Sequence, residues 1–234
     1  MDSAREKRIG DLVRRLQKER TMRERFRLPL SEEEAYEHLL AANVVEVQSR
    51  HREFVYNSDV DDQIRQIARC LTAHTSKFGI VLCGGCGNGK TTMLNAFQRL
   101  LNNLKIYNPN HQPNKDFYGH YGLTITTASN VVESCTKDCK KFQELKECDL
   151  LGIDDLGTEP VEVMDYGNVM TPVIDLLTRR YEAQLFTIIT TNLEPKEIRQ
   201  RYGGRIADRL NEMMAKVIYR NSTYRTDNVK TANN

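Results

Sequence analysis

No apolar run in this 234-residue sequence approaches the roughly 18–20 residues that a membrane-spanning helix needs. The opening stretch, MDSAREKRIGDLVRRLQKER, is charged throughout and lacks the apolar centre of a secretory signal. A cytoplasmic protein with no membrane partner is therefore expected. One-sided charge is missing too: the formal net charge is only +2, so any nucleic-acid surface must be a local patch. The six cysteines, Cys70, Cys83, Cys86, Cys135, Cys139 and Cys148, lack a second ligand pair at metal spacing. Cys83-x-x-Cys86 has that spacing but lies in a loop with another task, so all six are read as reduced thiols. The guanine signature N-K-x-D is absent, because Asn114-Lys115-Asp116 is followed by Phe117; this favours ATP over GTP. Length and ordinary apolar content leave room for one large α/β domain with a small appendage.

What is present centres on residues 78–94, FGIVLCGGCGNGKTTML. Phe78 to Leu82 reads as a buried strand that enters Gly84-Gly85-Cys86-Gly87-Asn88-Gly89-Lys90-Thr91, a match to the phosphate-binding pattern G-x-x-x-x-G-K-[ST]. Glycines let the backbone curl until successive N–H groups point into one anion-binding hollow. The helix starting near Lys90 adds the positive end of its dipole, reaching Thr92 in its first turn. Lys90 is expected on the β/γ-phosphates and the Thr91 hydroxyl on Mg²⁺.

A second constellation follows 64 residues beyond Lys90 (154 − 90), where the apolar strand Asp149–Ile153 ends in Asp154-Asp155. At a strand tip beside the P-loop strand, one carboxylate can hold Mg²⁺ through water while its neighbour orients an attacking water. The strand Leu185–Thr191 carries Asn192 at its tip, where an amide could position water against a γ-phosphate. Arg205 and Arg209, at i and i+4 of a helix after the break Tyr202-Gly203-Gly204, could pair with Asp208 or Glu212, or reach a neighbouring subunit's nucleotide as an arginine finger.

The remaining chain supplies partner surfaces. Residues 4–26 read as an amphipathic helix with Ile9, Leu12, Val13 and Leu16 on one face, and residues 1–30 hold ten Lys/Arg against five Asp/Glu. That helix suits a partner protein or DNA, or a solvated face of the main domain. Ser31 and Glu34 form a capping box for a helix to about Gln48, with Tyr36, Leu39, Leu40 and Val44 inward. A helix from Asn57 to about His74 leads into the P-loop strand. The loop at 105–122 contains Tyr107, Phe117, Tyr118 and Tyr121, which could stack on bases or pack on their own domain. Two short helices at 128–135 and 138–147 precede Asp149, a helix is expected over 168–182 with Val169, Val173, Ile174 and Leu177 inward, and a last strand over 216–220.

Taken together, GGCGNGKTT (84–92), CDLLGIDDLGTEP (148–160), FTIITTNL (186–193), RYGGRIADRL (201–210) and the closing YRNSTYRT resemble the DnaC/IstB-like branch of the AAA+ ATPases. The resemblance covers about residues 59–226 and implies a three-layer sandwich with a five-stranded parallel sheet and no C-terminal lid. It divides the chain into a helical partner-docking region at 1–58 and an ATPase domain at 59–234. By resemblance Lys90 and Thr91 act as Walker A, Asp154 and Asp155 as Walker B, Asn192 as sensor I, and Arg209, or failing it Arg205, as the finger. Lys140, Lys141 and Lys146 fall where family members carry a helical pair that faces DNA. The implied work is an ATP- and Mg²⁺-dependent, self-assembling loader of a replicative helicase that touches single-stranded DNA. Its alternatives are a helper that directs a transposase on duplex DNA, and a nucleotide switch that barely hydrolyses. A small-molecule kinase would leave RYGGRIADRL unexplained.

Overall fold

The computed structural model describes residues 3–19, 24–110, 119–221 and 223–224. Five strands run parallel in one sheet: β1 (Gly79–Gly84), β2 (Leu123–Thr127), β3 (Leu150–Leu156), β6 (Phe186–Thr191) and β7 (Met214–Tyr219), in the order β2-β3-β6-β1-β7. An all-parallel sheet needs cover on both faces, which is why β1 is buried as far as Cys83 and β6 along its whole length. One face carries α2 (Glu32–Gln48), α3 (Ser58–Thr72) and α4 (Lys90–Leu104). The other carries α5 (Ala128–Lys137), α6 (Cys139–Glu147), α7 (Pro172–Glu182), α8 (Pro195–Tyr202) and α9 (Gly204–Met213). The expected five-stranded parallel α/β fold is the observed one.

Local chemistry sets the helix starts. Ser31 and Glu34 cap α2 reciprocally, with the Ser31 N–H donating to the Glu34 carboxylate at 2.8 Å. Asn57 caps α3 by accepting from the Val60 N–H at 2.9 Å. Asp138 does the same for α6 through the Lys141 N–H.

Three sequence expectations change. The first helix, α1, spans Ser3–Glu19 rather than 4–26; residues 20–23 are outside the described set, and 24–28 are extended. Phe26 and Leu28 explain the change, because both are buried in the core. Phe26 lies edge-on to Tyr121 and Phe186, the Leu28 N–H donates to the Leu71 carbonyl, and Arg25 and Arg27 donate to carbonyls of residues 75–77. From Phe26 onward the N-terminal segment shares the core that holds β1. Tyr121 is thereby a core residue and not a base-stacking one; Tyr107 is exposed, while Phe117 and Tyr118 lie outside the described residues.

The second change is at 168–182. A hairpin of β4 (Val163–Asp165) and β5 (Asn168–Met170) precedes α7, which begins only at Pro172. Tyr166 and Gly167 both have positive φ, the two-residue turn that suits a hairpin, and a proline fits a first helical turn but not a helix interior. Val169, expected inward, is exposed, whereas Val173 and Leu177 are buried as expected. The third change is that β3 is not beside β1: β6 runs between them.

A buried cation ties the lower ends of these elements together. Arg180 is fully buried on α7 and donates to Thr187 Oγ1, to the carbonyls of Leu145, Cys148 and Phe186, and to Cys148 Sγ. Burial lowers its pKa to about 10, so it stays charged at neutral pH.

Truncation of Phe26 tests how far the N-terminal strap belongs to the core. Phe26→Ala should lower unfolding stability by about 3–5 kcal/mol, the range for an aromatic deleted from a packed interior. Urea denaturation of the full chain would measure it, and a loss under about 1 kcal/mol would place the strap outside the core.

Candidate nucleotide-binding site

The parallel register brings four strand ends to one edge. Gly84 of β1 pairs with Tyr219 of β7, Cys83 with Thr191 of β6, and Thr191 in turn with Leu156 of β3. A Cβ on Gly84 would collide with the Tyr219 carbonyl, so the strand can approach this closely only as glycine. Gly87 and Gly89 have φ of 76° and 98°, which aims the loop back toward α4. Asn88 is buried and donates to the Tyr219 carbonyl at 3.2 Å, while its side-chain oxygen accepts from Lys90 Nζ at 3.0 Å. Lys90 Nζ also donates to the Gly84 and Gly85 carbonyls at 2.8 and 2.6 Å. Burial lowers the Lys90 pKa, opposed mainly by Cys86 and by the carboxylate of Asp155.

The stretches expected to act as Walker A and Walker B touch. The Thr91 hydroxyl donates to Asp154 Oδ1 at 3.0 Å across the intervening strand tip. That strand contributes a residue the sequence reading passed over. Thr190, fully buried, donates to the same Asp154 oxygen at 2.6 Å and accepts from the Asp155 N–H at 2.9 Å. The β3–β6 register shifts between Ile153 and Leu156, and Asp155 adopts φ 55°. A left-handed Asp at a bulge turns its side chain away from the sheet's alternation, and here it lines the cavity over the P-loop. The doubled Thr190-Thr191 before Asn192 was the available signal, but a strand threonine is usually chosen for packing.

The cavity has a volume of about 820 Å³. Its floor is the P-loop from Cys86 through Thr92, with Asp155 and Asn192 at one side. Asn192 donates to Cys86 Sγ at 3.4 Å. The opposite side mixes apolar side chains, Phe54 and Val55 from the loop before α3 and Val60 and Ile64 from α3 itself, with the polar Arg50, Arg52, Glu53 and Gln63. Residues of the closing stretch complete it. Asn221 donates to the Asn88 carbonyl at 3.1 Å and accepts from Gln63 at 3.0 Å, and the Tyr224 N–H donates to the Gly87 carbonyl at 2.9 Å. Tyr219 contributes to the lining, while its hydroxyl is buried and without a hydrogen-bond partner among the described residues.

Arg209 and Arg205 do not join this cavity. Arg209 lies over the Tyr181 ring, 5.0 Å from its centroid, and pairs with Glu182 at 3.3 Å, with Nη1 buried and without a partner among the described residues. Arg205 is exposed; Asp208 pairs with Arg199, and Glu212 accepts from Tyr181. The two specific stretches GTEP and RYGG meet. The buried Glu159 carboxylate accepts from the Gly157 N–H at 2.9 Å and from the Tyr202 hydroxyl, and Arg201 donates to the Glu159 carbonyl. On α6, Lys146 packs over Phe142 and Lys141 pairs with Glu144, while Lys140 is exposed.

The site fits a nucleoside triphosphate with its Mg²⁺. The P-loop hollow takes phosphate, Thr91 and Asp154 present adjacent oxygens to a divalent cation, and the apolar side chains opposite suit a base. Among the described residues no cluster of three His, Cys, Asp or Glu would hold a metal without such a phosphate.

The chain has a DnaC-like AAA+ fold: it is similar to the DnaC helicase loader over 71% of this chain and 93% of that one, at 19% identity and TM-score 0.52. It is similar to DnaI over 74% of this chain and 87% of that one, at 18% identity and TM-score 0.54. No protein-family model and no curated protein matches the sequence.

Replacing Thr190 tests the junction of the two Asp residues. Thr190→Val keeps the shape but strands the Asp155 N–H and leaves Asp154 Oδ1 with Thr91 as its remaining donor, so stability should fall by about 1–3 kcal/mol, with Thr190→Ser near wild type. Equal stability of the Val and Ser variants in chemical denaturation would refute the role.

Proposed function

We propose that this chain is an ATP- and Mg²⁺-dependent ATPase that loads a replicative helicase onto single-stranded DNA. The observation that carries the reading is the direct bond between Thr91 and Asp154 beneath a P-loop cavity, set in a fold shared with a helicase loader. Lys90 exchanges its bonds to the Gly84 and Gly85 carbonyls for phosphate oxygens, and Asp154 with Thr91 holds the cation that neutralises their charge. Asp155 and Asn192 orient the attacking water in line with the γ-phosphorus. The β–γ bridging P–O bond breaks and the water proton passes toward the Asp155 carboxylate.

Two further parts of the reading concern partners. Arg209 serves a neighbouring protomer's nucleotide, because its guanidinium lies outside its own cavity. Homo-oligomers in the ATP-bound state follow from that. Residues 1–58 dock the helicase through α1, whose Ile9, Leu12, Val13 and Leu16 are all exposed on one face. Lys140 is the most open of the three α6 lysines to a DNA strand. No helix among the described residues is long and apolar enough to cross a membrane.

Steady-state ATP hydrolysis without DNA, with single strands and with duplex tests the assignment. Stimulation by single strands is expected; stimulation by duplex alone would favour a transposition helper, and no turnover with ATP bound would favour a switch. Lys90→Ala should abolish nucleotide binding. Arg209→Ala should bind ATP as wild type yet lose at least about 10³-fold in turnover, the lower range for a lost arginine finger. Mixing the two variants should restore part of the activity; a mixture as inactive as its components would rule out the trans role.

A further inference from the structure

We infer that the outer face of the β4–β5 hairpin is a self-assembly contact that receives the basic amphipathic helix α1 of a second copy of this chain. The hairpin's inner face is anchored, because the cross-strand pair Val163 and Met170 packs against the core that holds α7 and α9. The next pair, Met164 and Val169, projects from the opposite face and is 66% and 60% exposed. Tyr166 at the tip is 99% exposed. It also takes φ 44°, a left-handed turn position that suits Asn or Gly and that a bulky side chain adopts against its preference. A tyrosine there adds nothing to the packing of its own protomer, so the apolar tip points to a partner.

Charge decides which partner. Residues 148–178 hold seven acidic residues and no Lys or Arg, with Glu162 exposed next to β4. Such a face repels a phosphate backbone and suits a basic helix with an apolar row. This chain carries one. In α1, Ile9, Leu12, Val13 and Leu16 are 45–61% exposed, and Arg5, Lys7, Arg8, Arg14 and Arg15 outnumber Glu6 and Asp11 around them. Ile9 to Leu16 spans about 10 Å of helix, comparable with the roughly 7 Å of strand from Met164 to Tyr166 plus the tyrosine ring. The two surfaces belong to opposite ends of the sheet. Downstream of α1, Arg25 and Arg27 bond carbonyls of residues 75–77 before β1 begins, whereas the hairpin follows the far end of β3, and the strands are parallel. A surface and its complement at separate places on one chain make a head-to-tail contact, which closes as a ring or continues as a filament. The same row of α1 is the one proposed to dock a helicase, so the two contacts exclude one another. The hairpin contact needs no nucleotide, so its failure and that of the Arg209 contact are separable.

Sedimentation velocity of the full chain without nucleotide, over a range of concentrations, reads the contact. Wild type should associate reversibly. Leu12→Ser and Met164→Ser should each weaken association about 10-fold or more, the effect of removing one aliphatic side chain from an interface. Both should melt at the wild-type temperature, because each residue is exposed in the protomer. A photo-crosslinking benzoylphenylalanine in place of Tyr166 identifies the occupant in a mixture of isotopically light and heavy protein. Light-to-heavy crosslinks into residues 5–16 are expected. Wild type that stays monomeric throughout, association unchanged in either variant, or crosslinks that fall within one chain or on another surface would each overturn the inference.

Discussion

The close approach of β1 to β7 at Gly84 is the constraint on which the site depends. With a side chain there, the Tyr219 carbonyl would be pushed away, and Asn88 would lose the acceptor that holds its amide. Asn88 in turn orients Lys90 from one side while the Gly84 and Gly85 carbonyls hold it from the other. The position of one cation therefore traces back to the absence of one methyl group. A parallel sheet makes such a chain of dependence possible because its register fixes all strand tips relative to one another.

Buried charges organise the face opposite the nucleotide helix. Arg180 satisfies its donors on three carbonyls and the Thr187 hydroxyl, so its burial is compensated by hydrogen bonds and not by an opposite charge. Glu159 works at the other end: its carboxylate fastens the loop after Asp155 to Tyr202, the last residue of α8, just before the helix that carries Arg205 and Arg209. Removing either partner would leave a charge or a carbonyl unpaired in the interior, which is more damaging than losing a surface ion pair. Arg179–Glu147 and Lys137–Glu133, both solvated, belong to that weaker class.

Much of this was legible because local sequence and tertiary demand agreed. The glycines and Lys90 of the P-loop, the apolar strand ending in Asp154-Asp155 and the capping box at Ser31 each specify geometry over a few residues. Phe26 was misread because helical periodicity says nothing about an aromatic ring that finds Tyr121 and Phe186 far along the chain. The hairpin at 163–170 was missed because Asn168-Val169-Met170 fits a helical face; only the left-handed Tyr166-Gly167 turn and Pro172 decide otherwise. Thr190 looks like an ordinary strand residue, and what sets it apart is the partner it has in three dimensions.

One continuous hydrogen-bonded path runs across the cavity: Gln63 to Asn221, Asn221 to Asn88, and Asn88 to Lys90. The α3 wall and the phosphate loop thus share a rigid connection through the end of the described chain, with Tyr224 adding a second tether at Gly87. A ligand that engages only the loop must displace Lys90 from its carbonyls unaided. One that also contacts Gln63 draws on the same network from its far end, so recognition at the loop and at the α3 wall is physically coupled. The coupling needs no moving lid. It follows from placing Asn221 between α3 and the P-loop, where its side chain has partners on both sides.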